Sequence, residues 1–245
     1  MQTIVTYKEL GNNGRLGNQL FQIAATVGFA LKNDYKFLLP PSWKYRSNFS
    51  IFDSNYGDAD PTIQYQEPNF HYTKIDLPNQ YGQVINLYGY FQSYKYFEKF
   101  SDIIHNIFNL KTQDEDVCFI HVRRGDYIGQ AGYHTNLTLD YYREAIDYML
   151  SNGITKFKIF SDDLDWCREH FFNYDNVSFS TNVNEIDDLT EMSNCRAAII
   201  ANSSFSWWGA YLSKSKLVVA PKNWFGPLYH YYNTEDIYLP EWKQI

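Results

Sequence analysis

Two periodicities of apolar residues run along the chain. Thr3 to Tyr7 predicts a short strand, and Leu16, Leu20, Ile23, Val27 and Leu31, spaced four, three, four and four, fall on one face of a helix. Between them lies Gly11-Asn-Asn-Gly-Arg-Leu-Gly-Asn-Gln19, with Asn13 or Asn18 placed to cap the helix. Tyr35 to Leu39 predicts a second strand, stopped by Pro40-Pro41. Residues 40 to 80 show no period and are expected to be irregular loops. Val84 to Tyr90 predicts a strand, and Phe97, Phe100, Ile104 and Ile107 predict a helix over Ser93 to Phe108. A polar break at Lys111 to Asp116 divides the chain into expected domains of 1–112 and 113–245.

The second half is more regular. Val117 to Val122, Phe157 to Phe160, Val177 to Ser180, Ala197 to Ala201 and Leu217 to Ala220 are short apolar runs, as for strands buried on both faces. Helical patterns separate them: Leu139 to Met149 ending by Gly153, Asp163 to about Phe171, Ile186 to Met192, and Trp207 to Leu212. Such alternation predicts an α/β domain with a doubly wound parallel sheet, whose ligands bind beyond the carboxyl ends of the strands. Loops 123–126, 161–163 and 202–206 collect there.

Composition narrows the function. A net charge of −7 over 245 residues gives no electrostatic footprint for nucleic acid. Aromatic residues make up 19%, enough to fill a core or floor a sugar site. Cys118, Cys167 and Cys195 are sparse and odd in number, which argues for a reducing compartment rather than a disulfide framework. The N-terminal residues lack a signal-peptide pattern and no apolar run reaches membrane-helix length, so a cytoplasmic location is expected. Asn-x-Ser/Thr triplets at Asn48, Asn136, Asn176 and Asn202 are then chance matches.

Candidate chemistry sits in the loops. His121-Val-Arg123-Arg124-Gly125-Asp126 leaves a buried strand with two permanent charges and a glycine. Guanidinium forks match diphosphate oxygens, although a turn in which Arg124 pairs with Asp126 uses the same residues. Asn202-Ser203-Ser204-Phe205-Ser206 leads into a helix, where hydroxyls and free N–H groups seat an anion or simply cap the helix. Gly11, Gly14 and Gly17 do not have dinucleotide-fingerprint spacing, which discounts NAD or FAD. Asp188 is placed to accept from guanine N1 and N2, or to sit in a first helical turn for the dipole. The pairs Asp58/Asp60, Asp114/Asp116 and Asp163/Asp165 have the D-x-D form that holds Mn²⁺ in some sugar transferases, but two lie in linkers and one starts a helix, so all three read as structural.

Taken together, Gly14-Arg-Leu-Gly-Asn-Gln-Leu-Phe-Gln22, Gly89-Tyr-Phe-Gln-Ser93, His121 to Asp126, Phe160-Ser-Asp-Asp163 and Ala201-Asn-Ser-Ser-Phe-Ser-Trp-Trp-Gly209 resemble the α-1,2-fucosyltransferase family. The motifs run in the family's order from residue 14 to about 226. The resemblance implies two Rossmann-like domains facing each other across a cleft (GT-B type), the first on the acceptor side and the second binding GDP-fucose. It implies inverting, metal-free transfer of fucose to the 2-hydroxyl of a galactose-terminated glycan, and peripheral membrane association where that glycan is a glycolipid. It assigns His121, Arg123, Arg124, Asp162, Asp188, Ser203, Ser204, Phe205 and Ser206 to the donor, with Arg123 stabilising the leaving diphosphate. Arg15, Gln19, Tyr90 and Gln92 go to the acceptor sugar, and Asn18 joins the catalytic set. Asp126 is the expected base unless it only orients Arg124; His134 and a leaving-group oxygen are the alternatives. The chain departs from the family by its shortness, which implies a trimmed acceptor domain, and by Arg15 where bacterial members commonly carry glycine. Two other classes stay open: a metal-dependent sugar transferase, separable by EDTA, and a non-catalytic carbohydrate binder, separable by GDP calorimetry.

Overall fold

The computed structural model describes residues 2–77, 81–172 and 174–245, and the chain forms two compact α/β units. The first unit holds the described residues up to Asn109 together with Asn233–Tyr238, and the second holds Leu110–Tyr232 with Leu239–Ile245. The division falls after Asn109, against the expected 112, and 233–238 group with the first unit.

In the first unit β1 (Ile4–Thr6), α1 (Leu16–Lys32), β2 (Lys36–Leu38), β3 (Ile63–Gln66), β4 (Val84–Tyr88) and α2 (Ser101–Ile107) follow in order. The sheet runs β2-β1-β4-β3 and every pairing is parallel. Strand β3 lies inside the stretch expected to be loops; its Ile-Gln-Tyr-Gln alternation exposes every second residue. Residues 78–80 of that stretch lie outside the described residues. The single helix expected over 93–108 is broken. It becomes two 3₁₀ turns, Tyr94–Tyr96 and Glu98–Phe100, and then α2. The Ser93 hydroxyl accepts the Lys95 N–H at 3.3 Å, and Phe97 leaves the helical region at φ −137° and ψ 6°. Helix α1 presses on this turn at Gly28, where any Cβ would collide with the Tyr96 carbonyl.

The second unit contains β5 (Glu115–Val122), α3 (Gly125–Ile128), α4 (Leu139–Ser151), β6 (Phe157–Ser161), α5 (Leu164–Phe171), β7 (Val177–Phe179), α6 (Glu185–Asn194), β8 (Cys195–Ile199), α7 (Ser204–Ser213), β9 (Leu217–Ala220) and β10 (Lys243–Gln244). The all-parallel sheet runs β10-β9-β8-β5-β6-β7. Counted from its own first strand this is 6-5-4-1-2-3, the order of a dinucleotide-type doubly wound sheet. Ile120, Ile159 and Ile199 share one face with Tyr142 and Ile146 of α4 and Phe171 of α5. On the other face Phe119 packs edge-on to Phe160 and meets α7 at Gly209, where an added Cβ would lie 3.3 Å from the Phe119 ring. Both faces are therefore covered, which explains the unbroken apolar runs. Strand β10 and the turn α3 were not foreseen; each is too short to show a period.

Candidate active site

In the second sheet the chain winds outward in opposite directions from β5 and from β8, which are neighbours. Their carboxyl ends therefore flank the switch point of the sheet, where the two connecting loops diverge. Arg123 and Arg124 leave β5 there. Residues 200–203 leave β8 there and enter α7.

The two guanidiniums are held by three carboxylates. Arg123 bonds Asp162 at 2.6 Å and also Asp126, and it lies 5.1 Å above the Tyr127 ring. Arg124 bonds Asp163 through Nε at 3.0 Å and lies 3.9 Å above Trp166. Its backbone N–H donates to Asp162 at 2.9 Å. Asp162 thus ties one arginine by its side chain and the next by its main chain. Gly125 is required beside it, because an added Cβ would collide with the Asp162 carboxylate. The alternative in which Asp126 pairs with Arg124 is corrected: Asp126 holds Arg123, and Arg124 belongs to Asp163. The signal lay in the topology, since Val122 pairs with Ser161 in register and the next residues, Arg123 and Asp162, come out side by side.

Ser203 is the N-cap of α7, its hydroxyl accepting the Phe205 N–H at 3.4 Å. Ser204 and Phe205 are half-buried in the first turn. Ser206 is fully buried and donates back to the carbonyls of Ala201 and Ser203 at 3.4 and 3.3 Å, so its hydroxyl serves the loop. Asn202 donates to the carbonyls of Thr135 and Trp224 at 3.0 and 2.9 Å. His121, one residue before the end of β5, is 6% exposed, lies 5.8 Å from the Phe205 ring, and its Nδ1 is buried without a partner. Burial, helped by Arg123, pushes its pKa down to about 3, so the imidazole is neutral. His134 stacks on Tyr127 at 3.9 Å, and burial lowers its pKa too.

Asp188 stands in the first turn of α6, beyond the carboxyl end of β7. One of its oxygens accepts from Ser180 at 2.8 Å and Asn182 at 3.2 Å, and burial raises its pKa despite those bonds. The other acidic pairs are tied to neighbours: Asp163 caps α5, Asp165 pairs with Arg168, Asp114 with Lys111, Asp116 with Arg196 and Asp60 with Lys8. Among the described residues no group of three or more His, Cys, Asp or Glu side chains has a metal-holding arrangement. Among them, too, no helix is long and apolar enough to cross a membrane.

The first unit gathers amides at the carboxyl ends of its strands. Asn18 accepts from Gln92 Nε2 at 2.6 Å. It folds over Gly14, whose φ of +84° and lack of a Cβ leave it room. Neither expected asparagine caps α1. Arg15 occupies that position, Asn13 donates to the Tyr7 hydroxyl at 2.9 Å, and the Tyr7 hydroxyl donates to the Gly89 carbonyl at 2.7 Å. Gln19 is buried and fully engaged, donating to the Gly14 carbonyl at 2.8 Å and accepting from Trp43 at 2.9 Å, so its side chain supports the loop. Tyr90 is exposed and Arg15 is exposed at the helix start. Glu67, at the end of β3, was missed by sequence reading: it accepts the N–H groups of Tyr90 and Phe91 at 2.7 and 2.9 Å.

Residues 4–245 match the model of glycosyl transferase family 11. The chain is 33% identical over 179 residues to the O-antigen biosynthesis glycosyltransferase WbnK of Escherichia coli, a match spanning 62% of this chain and 58% of that protein. It is 30% identical over 264 aligned positions to an alpha-1,2-colitosyltransferase of Escherichia coli, covering 86% and 90% of the two chains. Human galactoside alpha-(1,2)-fucosyltransferase 1 is 23% identical over 273 positions, covering 95% and 73%. In fold the chain is similar to the Escherichia coli heptosyltransferase WaaC with ADP, at a TM-score of 0.53 and 11% identity over all of this chain and 92% of that one. It is also similar to POFUT1 in complex with GDP-fucose, at 0.50 and 12% over 89% and 97%. The two sheet-containing units are those of a GT-B-type glycosyltransferase.

Proposed function

The chain belongs to glycosyl transferase family 11, and we propose that it transfers L-fucose from GDP-β-L-fucose to the 2-hydroxyl of a terminal galactose, with inversion and without a metal. The observation that carries this reading is the pair of carboxylate-braced guanidiniums at the switch point of the second sheet. As the C1–O bond to the diphosphate breaks, negative charge grows on the leaving group. A preorganised fork meets that charge without reorganising. Arg123 takes this role, and Arg124 supports it. The N-terminal end of α7, with Ser203 and Ser204, seats the phosphates. Neutral His121 lines the floor, and Asp188 reads the guanine edge.

The acceptor hydroxyl attacks C1 from the face opposite the diphosphate, so a β-linked donor gives an α-linked product. Asp126 is already committed to Arg123, which favours it as a positioning residue. The acceptor proton is then released to water and reaches a diphosphate oxygen only through that relay, since the leaving group stands on the opposite face of the sugar. Arg15, Asn18, Tyr90 and Gln92 handle the acceptor sugar.

The test is incubation with GDP-fucose and a panel of lactose-type acceptors, with mass and linkage analysis. The expected product is a Fucα1,2-galactoside, formed equally in EDTA. Activity that EDTA removes and Mn²⁺ restores overturns the metal-free part, and turnover of another nucleotide sugar alone overturns the donor. The colitosyltransferase that matches over most of both chains favours one second reading, transfer of colitose, so nucleotide-linked colitose belongs in the same panel.

A further inference from the structure

The motif Gly89-Tyr-Phe-Gln-Ser93 follows β4 in an unusual backbone course. Gly89 has φ +153° and Phe91, a non-glycine residue, has φ +52°. Left-handed backbone at a bulky side chain persists only where its surroundings impose it. Those surroundings centre on Glu67. Its Oε2 accepts two consecutive N–H groups, from Tyr90 at 2.7 Å and Phe91 at 2.9 Å. Gly89 lies so close that an added Cβ would collide with the Glu67 side chain. The next residue, Gln92, is nearly buried and donates its amide to Asn18 at 2.6 Å. That bond occupies the Asn18 carbonyl oxygen and so fixes which way the amide points.

We infer that Glu67 is a positioning residue: by clamping the backbone at Tyr90 and Phe91 it sets Gln92, and through Gln92 the orientation of the Asn18 amide. The inference rests on the fucosyl-transfer reading for its effect on turnover, but not for its structural content. A carboxylate suits the clamp because one oxygen takes two converging N–H groups, and charged acceptors bind more strongly than neutral ones. Its second oxygen, Oε1, is buried without a hydrogen-bond partner. The titratable groups facing it are the tyrosines Tyr65 and Tyr96; no cation is among the influences on it, and burial raises its pKa to about 7 against the lowering effect of the Tyr90 and Phe91 N–H groups and the Tyr96 hydroxyl. The clamp is therefore tightest above neutrality, where the carboxylate carries its charge.

A double-mutant cycle with Glu67→Ala and Gln92→Ala tests this. Each single change is expected to lower kcat/KM for the galactoside about tenfold, with GDP affinity by calorimetry unchanged, and the double change to cost no more than one. The wild-type acidic limb near pH 7 is expected to vanish in Glu67→Gln. Additive losses, or wild-type kcat/KM in folded Glu67→Ala, overturn the inference. Amide exchange read by mass spectrometry supplies an arm independent of turnover. Glu67→Ala is expected to speed exchange in 89–92 and also in 13–18, which Glu67 does not touch; protection of 13–18 unchanged overturns the coupling. Absence of any fucosyl product from wild type, with this exchange pattern intact, removes the function proposed above and leaves the clamp standing.

Discussion

The carboxyl ends of the two sheets carry opposite chemistry. In the second unit two arginines stand among Asp126, Asp162 and Asp163, charges braced by charges. In the first, Asn13, Asn18, Gln19, Gln22 and Gln92 bond to one another, to carbonyls and to Trp43 and Tyr7, around a single clamping carboxylate, Glu67. On the function proposed above, the difference matches what each end would handle. A departing diphosphate demands concentrated positive charge, and arginines hold their geometry only if something anionic fixes them. A neutral sugar offers hydroxyls, which amides meet as both donor and acceptor.

Removing charge from the second unit is the strongest way to break this contrast. Arg123→Ala is expected to lower kcat roughly 10²–10³-fold, about 3–4 kcal/mol, and Arg123→Lys to recover little because an ammonium does not reproduce the fork. Stopped assays of GDP release on protein with an unchanged melting profile check it; near-normal turnover there would sink the charge argument. Asp126→Asn comes next. Losing a hydrogen bond to a charged group is worth about 1.5–3 kcal/mol, so GDP affinity and kcat are expected to fall together by roughly ten- to a hundredfold. A fall in kcat with GDP affinity intact would restore Asp126 as the base.

On the amide side the effect is smaller and of another kind. Gly14→Ala strains a backbone at φ +84° and pushes its Cβ into the Asn18 amide. Strain of this sort costs about 1–3 kcal/mol and is expected to appear in the acceptor KM, with GDP binding untouched. Equal loss of GDP binding would erase the division of labour.

The two units should also respond to acid with opposite signs, the subtlest expectation. His121 has a folded pKa of about 3, below its ordinary 6.5, so the folded state binds fewer protons and its contribution to stability is lost as the pH falls below 6.5. Glu67 has a folded pKa of about 7, above its ordinary 4.5, so its folded state binds more protons and stability falls as pH rises through that window. Lowering the pH from 7 to 5 should therefore subtract stability through His121 and add it through Glu67, each by at most about 1.4 kcal/mol per pH unit, even as protonation weakens the carboxylate's own bonds to the backbone of 89–92. Denaturant unfolding at both pH values reads the signs: Glu67→Gln should lack the gain in acid, and an equal pH dependence in wild type and Glu67→Gln would contradict it.

How much of this was visible in the sequence varies with the kind of interaction. The second sheet was legible because each strand is an apolar run between polar loops, and a buried parallel strand has no other composition. Strand β3 was not, since Ile63 to Gln66 carries two glutamines and lies at the sheet edge. The arginines stand out in their motif, but the carboxylates that hold them do not: nearness in sequence offers Asp126 as an alternative partner for Arg124, whereas strand register brings Asp162 and Asp163 to it from 38 and 39 residues away. Glu67 left no local signal, because its role lies in backbone groups 23 and 24 residues downstream. Ser206 and Gln19 stand in the candidate motifs, yet both spend their side chains on the loops that carry them.

The excursion of 233–238 sets an order for biosynthesis. Asp236 accepts the Tyr72 N–H at 3.0 Å and pairs with Lys95, both in the first unit. A ribosome adding ~5–20 residues per second leaves roughly ten seconds between the emergence of Asn109 and that of Asp236. For that interval the amino-terminal body waits with Lys95 unpaired while the carboxyl-terminal sheet acquires its inner strands. The last residues then complete the two bodies in quick succession: first Asp236 against Lys95, then β10 beside β9 and Trp242 against Trp207. A stop at residue 232 would thus be one lesion felt twice, and neither half would reach the newly made state of the whole.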